Sequence, residues 1–139
     1  MRYNIRRYVM PLSAVVFGTA YLFYCIWTAI QQCSAFRWGL EVVGITMSLV
    51  CATVSIMFIM GGMKIFVHDS SGISTLRSAA LCGLWAMFFE VVYAAAVTQG
   101  GVHEFSVMPY GIYRIVIISV FTVPQLLYCA AIYRNTAKS

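Results

Sequence analysis

Four stretches with almost no charge, Val9 to Ile30, Leu40 to Met63, Ser78 to Thr98 and Ile115 to Tyr133, fill most of these 139 residues. They fix the solvent in which the chain can fold. Each approaches the roughly 20 residues that a helix needs to cross ~30 Å of hydrocarbon. In that medium every backbone N–H and C=O must be satisfied internally, so an apolar run of this length spans as a helix. Only one Asp, Glu, Lys or Arg falls near the middle of any stretch, Glu90. The sequence predicts an all-α fold: a four-transmembrane-helix bundle with helices at about 9–30, 40–66, 78–98 and 112–133. The chain, 1–139, reads as a single integral membrane domain with no extramembrane domain.

Composition excludes the ordinary soluble alternatives. Charged residues make up 9% of the chain, against about 25% in a typical soluble domain. Hydrophobic residues make up 62%, more apolar surface than a soluble fold of this size could cover. The net charge of +5 does not point to nucleic acid, because the nine basic residues are scattered and no basic patch is interleaved with aromatics.

The scatter of basic residues encodes orientation instead. Threading four helices puts Arg2, Arg6, Arg7, Lys64, Arg77, Arg134 and Lys138 on one side and only Arg37 and Arg114 on the other. The positive-inside rule then predicts that both termini are cytoplasmic (N-in, C-in), in a cell inner membrane or plasma membrane. Phe36, Trp38, Tyr110 and Tyr113 would form the outer aromatic belt and Tyr3, Tyr8 and Tyr133 the inner one. The first stretch has 22 residues, longer than the 7–15 of a signal-peptide core, and no small-residue cleavage site follows it. It reads as a retained helix.

In lipid the helices gain little from hydrophobic burial against one another, so close approach depends on small residues and interhelical hydrogen bonds. Every stretch carries such a stripe. The third has Ala79, Gly83, Ala86, Glu90 and Ala94 on one face, with Leu81, Trp85, Phe88 and Val92 turned elsewhere, toward lipid. The second has Gly44, Ser48, Cys51, Ser55 and Gly62, the first has Ala14, Gly18, Tyr21, Cys25 and Thr28, and the fourth has Ser119, Thr122, Gln125 and Cys129. The positions expected to make the closest helix contacts are Gly18, Gly44, Ser48, Gly83 and Ala86. These stripes are either ordinary packing faces or the lining of a polar pathway.

Glu90 decides between those readings. A carboxyl deep in a span is costly, and such residues usually pair or carry function. No Lys or Arg lies at matching depth in the sequence, so a neutral acid hydrogen-bonded to its neighbours is the default. Tyr21, Ser55 and Gln125 are the neighbours expected from depth, which makes Glu90, Tyr21, Ser55 and Gln125 the candidate intramembrane polar site. Pro124 removes a backbone donor and is expected to leave the Val120 carbonyl without its helical partner, close to the acid. The structural role would be a buried clasp; the functional roles are proton or cation coupling, or contact with a polar residue of a partner.

The connections offer less. Asp69, Ser70, Ser71 and Gly72 have turn chemistry, with Gly72 expected at positive φ and Ser74 or Thr75 expected to cap the third helix. His103, Glu104 and Phe105 in the longest outer loop are a candidate extracytoplasmic contact surface.

Catalytic signatures are missing. His68 and His103 fall on opposite faces and cannot share a metal or haem, and H-E-x-x-H, G-x-S-x-G and P-loop patterns are absent. Five cysteines include no C-x-x-C pair, so neither a redox nor a zinc site is indicated, and Cys33 alone falls in an outer loop. No enzyme activity, metal or cofactor is expected. The leading expectation is a small multi-pass protein acting through helix-mediated association, as an accessory, assembly or modulatory subunit. The partners would be the lipid bilayer and another membrane protein, or a second copy of itself. The alternative is a homo-oligomeric transporter or channel for protons or small cations using Glu90, and a weaker one is a holin-like membrane-permeabilising protein.

Overall fold

A computed structural model describes the backbone of residues 2–34, 40–99 and 111–137, and within these the side chains of residues 8–30, 33, 42–89, 91, 92, 120 and 122–136. The described chain is helical except for one turn. Its helices are α1 (Arg2–Ser34), α2 (Leu40–Phe66), α3 (Ser71–Gln99) and α4 (Gly111–Ala137). Of these, α1, α2 and α3 each hold a segment long and apolar enough to cross a membrane: Tyr8–Ile30, Val42–Phe66 and Ser71–Phe89.

Each helix packs antiparallel on the next. Gly62 of α2 lies beside Pro11 and Val15 of α1, and Gly18 lies beside Ser55 and Ile59. Gly61 meets Leu76 of α3, and Gly83 meets both Val54 of α2 and Cys129 of α4. The ring closes between α1 and α4, where Phe17 stacks on Tyr128 at 4.2 Å between ring centroids.

Burial follows a narrow stripe on each helix. Pro11, Ala14, Gly18, Tyr21 and Cys25 are buried on α1, and Thr122, Gln125, Cys129, Ile132 and Thr136 on α4. Alternating steps of three and four hold such a set on one helix face. Outside it, Leu81, Trp85, Phe88 and Val92 of α3 are all about half exposed or more, on the side expected to face lipid. In water so much continuous apolar surface would drive aggregation; hydrocarbon solvates it.

The contact between α1 and α2 is made by glycine. A Cβ on Gly18 would come within 2.7 Å of the Ser55 carbonyl oxygen, and one on Gly62 within 2.7 Å of the Pro11 carbonyl oxygen. Both helices therefore approach backbone to backbone, as small residues permit in membrane proteins.

Helix ends depart from the apolar stretches. The helix of α1 starts at Arg2 rather than at about residue 9, because nothing in residues 2–8 breaks it, and α4 runs on to Ala137 past the expected 133. The start of α3 is Ser71 rather than about residue 78, so the connection from α2 is only residues 67–70. Hydropathy marks where lipid contact ends, not where the helix ends.

That turn also corrects the expected roles of its residues. His68 donates to the Ile65 carbonyl at 3.1 Å and Asp69 to the Lys64 carbonyl at 2.9 Å, the paired bonds of a Schellman helix stop. It is His68, at φ 63°, that takes the left-handed conformation, not Gly72. Gly72 is needed instead for space, since a Cβ there would meet the Ile65 amide nitrogen at 2.8 Å. Nor do Ser74 and Thr75 cap α3: both hydroxyls donate back to the Ser71 carbonyl from within the first turn. The cap is Asp69, whose Oδ1 accepts the Ser71 N–H at 2.8 Å. That bond, with help from Lys64, holds the Asp69 carboxyl below its usual pKa.

Candidate functional site

The interior of the bundle is built from α1 outward. Its stripe presents Ser13, Phe17 and Tyr21 on successive turns. Ser13 donates its only hydroxyl proton to the Met10 carbonyl at 2.8 Å. The 3.0 Å contact between Ser13 Oγ and the Tyr128 hydroxyl is therefore donated by Tyr128. This bond ties α1 to α4.

Beside it the rings form a continuous set. Phe17 meets the edge of Phe58 from α2 at 5.3 Å and stacks on Tyr21 at 5.8 Å, and Phe58 lies 5.9 Å from Tyr128. Edge-to-face and offset contacts at these separations are favourable beyond area burial. Phe58, Leu76, Met87 and Cys129 around them are fully buried. Three helices thus contribute side chains to one aromatic plug.

Polar groups lie above it, toward the end remote from the α2–α3 turn. Tyr21 packs with Cys25, Cys51 and Ala86, one turn before Glu90 on α3. Thr28 donates to the Cys25 carbonyl at 2.9 Å, and its Oγ1 lies 3.4 Å from Ser48 Oγ. Gln125 is 9% exposed, and its Oε1 is buried with no hydrogen-bond partner among the described residues. An unmet buried carbonyl is costly in a medium without water.

The residues of the expected polar site are placed unequally. Glu90 lies in α3, in register with buried Ala79, Gly83 and Ala86; its side chain is outside the described residues. Pairing Gly61 with Leu76 and Gly83 with Val54 sets the α2–α3 register. Extended along the helices, it brings Glu90 level with Met47 and Ser48. Ser55 falls two turns away, about 10 Å along α2. The Ser55 hydroxyl is bonded to the Cys51 carbonyl at 2.9 Å, and its own carbonyl receives Gly18, so it serves the α1–α2 contact. Gln125 and Tyr21 sit nearer the level of Ala86. Among the expected packing positions, Gly18, Gly44, Ser48, Gly83 and Ala86 are all buried.

Pro124 and Val120 are both exposed, on the outer face of α4, while Gln125 is buried. Of the expected belts, Phe36, Trp38, Tyr110, Tyr113 and Tyr3 lie outside the described side chains, as do His103, Glu104, Phe105, Ala94 and Ser119. Cys33 is exposed, and no disulfide joins any of the five cysteines. Searching for small residues missed Ser13, Phe17, Phe58 and Tyr128. The only signal was that Phe17 shares a helix face with Tyr21 and Tyr128 with Gln125, a spacing that lipid-facing aromatics show equally.

The chain matches no protein-family model, and comparison with curated proteins and with solved structures finds no significant similarity.

Proposed function

We propose that this is a four-span membrane protein with both termini in the cytoplasm that works by associating with another membrane protein, as an accessory, assembly or modulatory subunit, and catalyses no reaction. The aromatic plug of Phe17, Phe58 and Tyr128 carries this reading. A conduit must be open along its whole length, so a bundle filled at one level offers no path through a single chain. Gly18, Gly61, Gly62 and Gly83, the glycines that permit the closest approach, are spent on contacts within the chain. The outer surface carries large apolar side chains together with small residues such as Ala20, Thr53, Ala130 and Ala131, suited to lipid and to the helices of a partner.

The fourth span rests on α4. Its 27 residues reach about 40 Å at 1.5 Å per residue, and in its C-terminal half Cys129 and Tyr133 pack against Gly83 and Arg77 of α3. Four spans return the chain to its starting side, and the excess of Lys and Arg there marks that side as cytoplasmic.

A second reading, coupling of protons or small cations at Glu90, is favoured by one observation, the carbonyl oxygen of buried Gln125, which has no hydrogen-bond partner among the described residues. Flux separates the two. Purified protein reconstituted into vesicles should pass protons and monovalent cations no faster than protein-free vesicles. A flux abolished by Glu90→Gln would replace the association reading with transport.

A further inference from the structure

The two ends of the bundle differ sharply in charge. Antiparallel packing gathers the start of α1, the α2–α3 turn and the end of α4 at one end. Among residues whose backbone is described, that end holds Arg2, Arg6, Arg7, Lys64, Arg77 and Arg134 against a single acid, Asp69, whereas Arg114 at the other end is balanced by Glu41. The asymmetry is a surface property as well as a topological one.

Its described centre is the outer edge of the α3–α4 contact. Arg77 is exposed and lies over the Tyr133 ring, 5.5 Å from its centroid. A cation over a ring face spends none of its N–H donors on an acceptor, so this contact leaves the guanidinium able to donate to the oxygens of a phosphate. Arg134, next to Tyr133, is exposed, and Lys64 in the last turn of α2 is half-buried at the same end. Asp69 keeps its charge while accepting the Ser71 N–H, and its electrostatic partner is Lys64, so it offsets the flank of this group and not Arg77 and Arg134. Tyrosine beside arginine at a span's end is the composition of the headgroup layer.

We infer that the cytoplasmic end of the α3–α4 contact, with Arg77 and Arg134 as its core and Lys64 at its flank, binds the phosphate of anionic phospholipids and concentrates them around the protein. This rests on the membrane reading above but not on the partner. Occupancy by lipid is argued from charge complementarity and depth: the donors lie where span gives way to interface, and anionic lipid is the phosphate source held at that depth. Basic residues at the surface each contribute about fivefold to such binding.

The test is lipid selectivity of the full chain reconstituted in phosphatidylcholine vesicles, read by spin-labelled phosphatidylglycerol and spin-labelled phosphatidylcholine. The protein should immobilise the anionic label in preference to the zwitterionic one. Arg77→Gln with Arg134→Gln should lower that preference by about tenfold or more, and Arg114→Gln, at the opposite end, should leave it unchanged. High salt should erase it in the unmodified protein, which keeps the test independent of how the variants fold. Equal immobilisation of both lipids would overturn the proposal, as would a preference that survives both the double substitution and high salt. Immobilisation of neither lipid would instead overturn the membrane reading beneath it.

Discussion

Tyr128 shows how much one side chain can join in this bundle. It donates to Ser13, stacks on Phe17 and borders Phe58, so three helices meet at its ring. Its two contributions separate by substitution. Tyr128→Phe keeps the ring and loses the hydrogen bond, and membrane hydrogen bonds average about 0.6 kcal/mol; reversible unfolding in mixed micelles should register a loss of that order. Phe58→Ala should cost about 3 kcal/mol or more, because packing density rather than polarity holds the plug. Little of this was legible in the sequence. Small residues announce a close contact by their rarity of bulk, whereas Phe17 or Tyr128 on an apolar helix looks like any lipid-facing aromatic until the partner helix is in place. Glu90 announced itself by charge, and Ser55 was grouped with it by approximate depth; the register of α2 on α3 assigns Ser55 to Gly18 instead.

Helices as elements were read more securely than their ends. The second helix begins where the apolar run does, at Leu40, and stops at Phe66, three residues past the end of the run at Met63, where the His68 helix stop closes it. The starts of α1 and α3 lie beyond the apolar runs, where backbone hydrogen bonding rather than hydropathy decides. At the α2–α3 turn a histidine holds the left-handed position that glycine occupies at lower energy. His68→Gly should therefore raise stability by up to about 1 kcal/mol, measured as a higher midpoint in thermal unfolding. The Asp69 cap has a defined pH signature. Its carboxyl pKa is lowered by folding, so the stabilisation is complete above the ordinary carboxylate value of about 3.9 and is lost as pH falls through the lowered folded value. Thermal scans between pH 7 and pH 3 should show an acid loss that Asp69→Asn reduces. Between α1 and α2, Gly18→Val or Gly62→Val must push a side chain into a backbone carbonyl. Overpacking of this kind costs about 1–3 kcal/mol, and the pair of helices should separate measurably by distance labels placed on their outer faces.

At the scale of the molecule, class and charge asymmetry were legible because lipid imposes them on composition directly. Three helices meet the length and apolarity needed to cross a membrane, and of the basic residues with a described backbone all but Arg114 lie at one end of the bundle. Function was not legible in the same way. No catalytic pattern stands out, and the polar interior has two physical uses, as a clasp or as a coupling site, that share one amino-acid pattern. Filling of the bundle at Phe17, Phe58 and Tyr128 tips the balance toward association. The most direct test is the composition of the complex extracted gently from its native membrane, by mass spectrometry of the intact assembly with a tag on the C-terminus. A stoichiometric second membrane protein alongside this chain is the expected result. A species containing this chain alone, at a fixed copy number, would contradict the proposed role and return attention to Glu90.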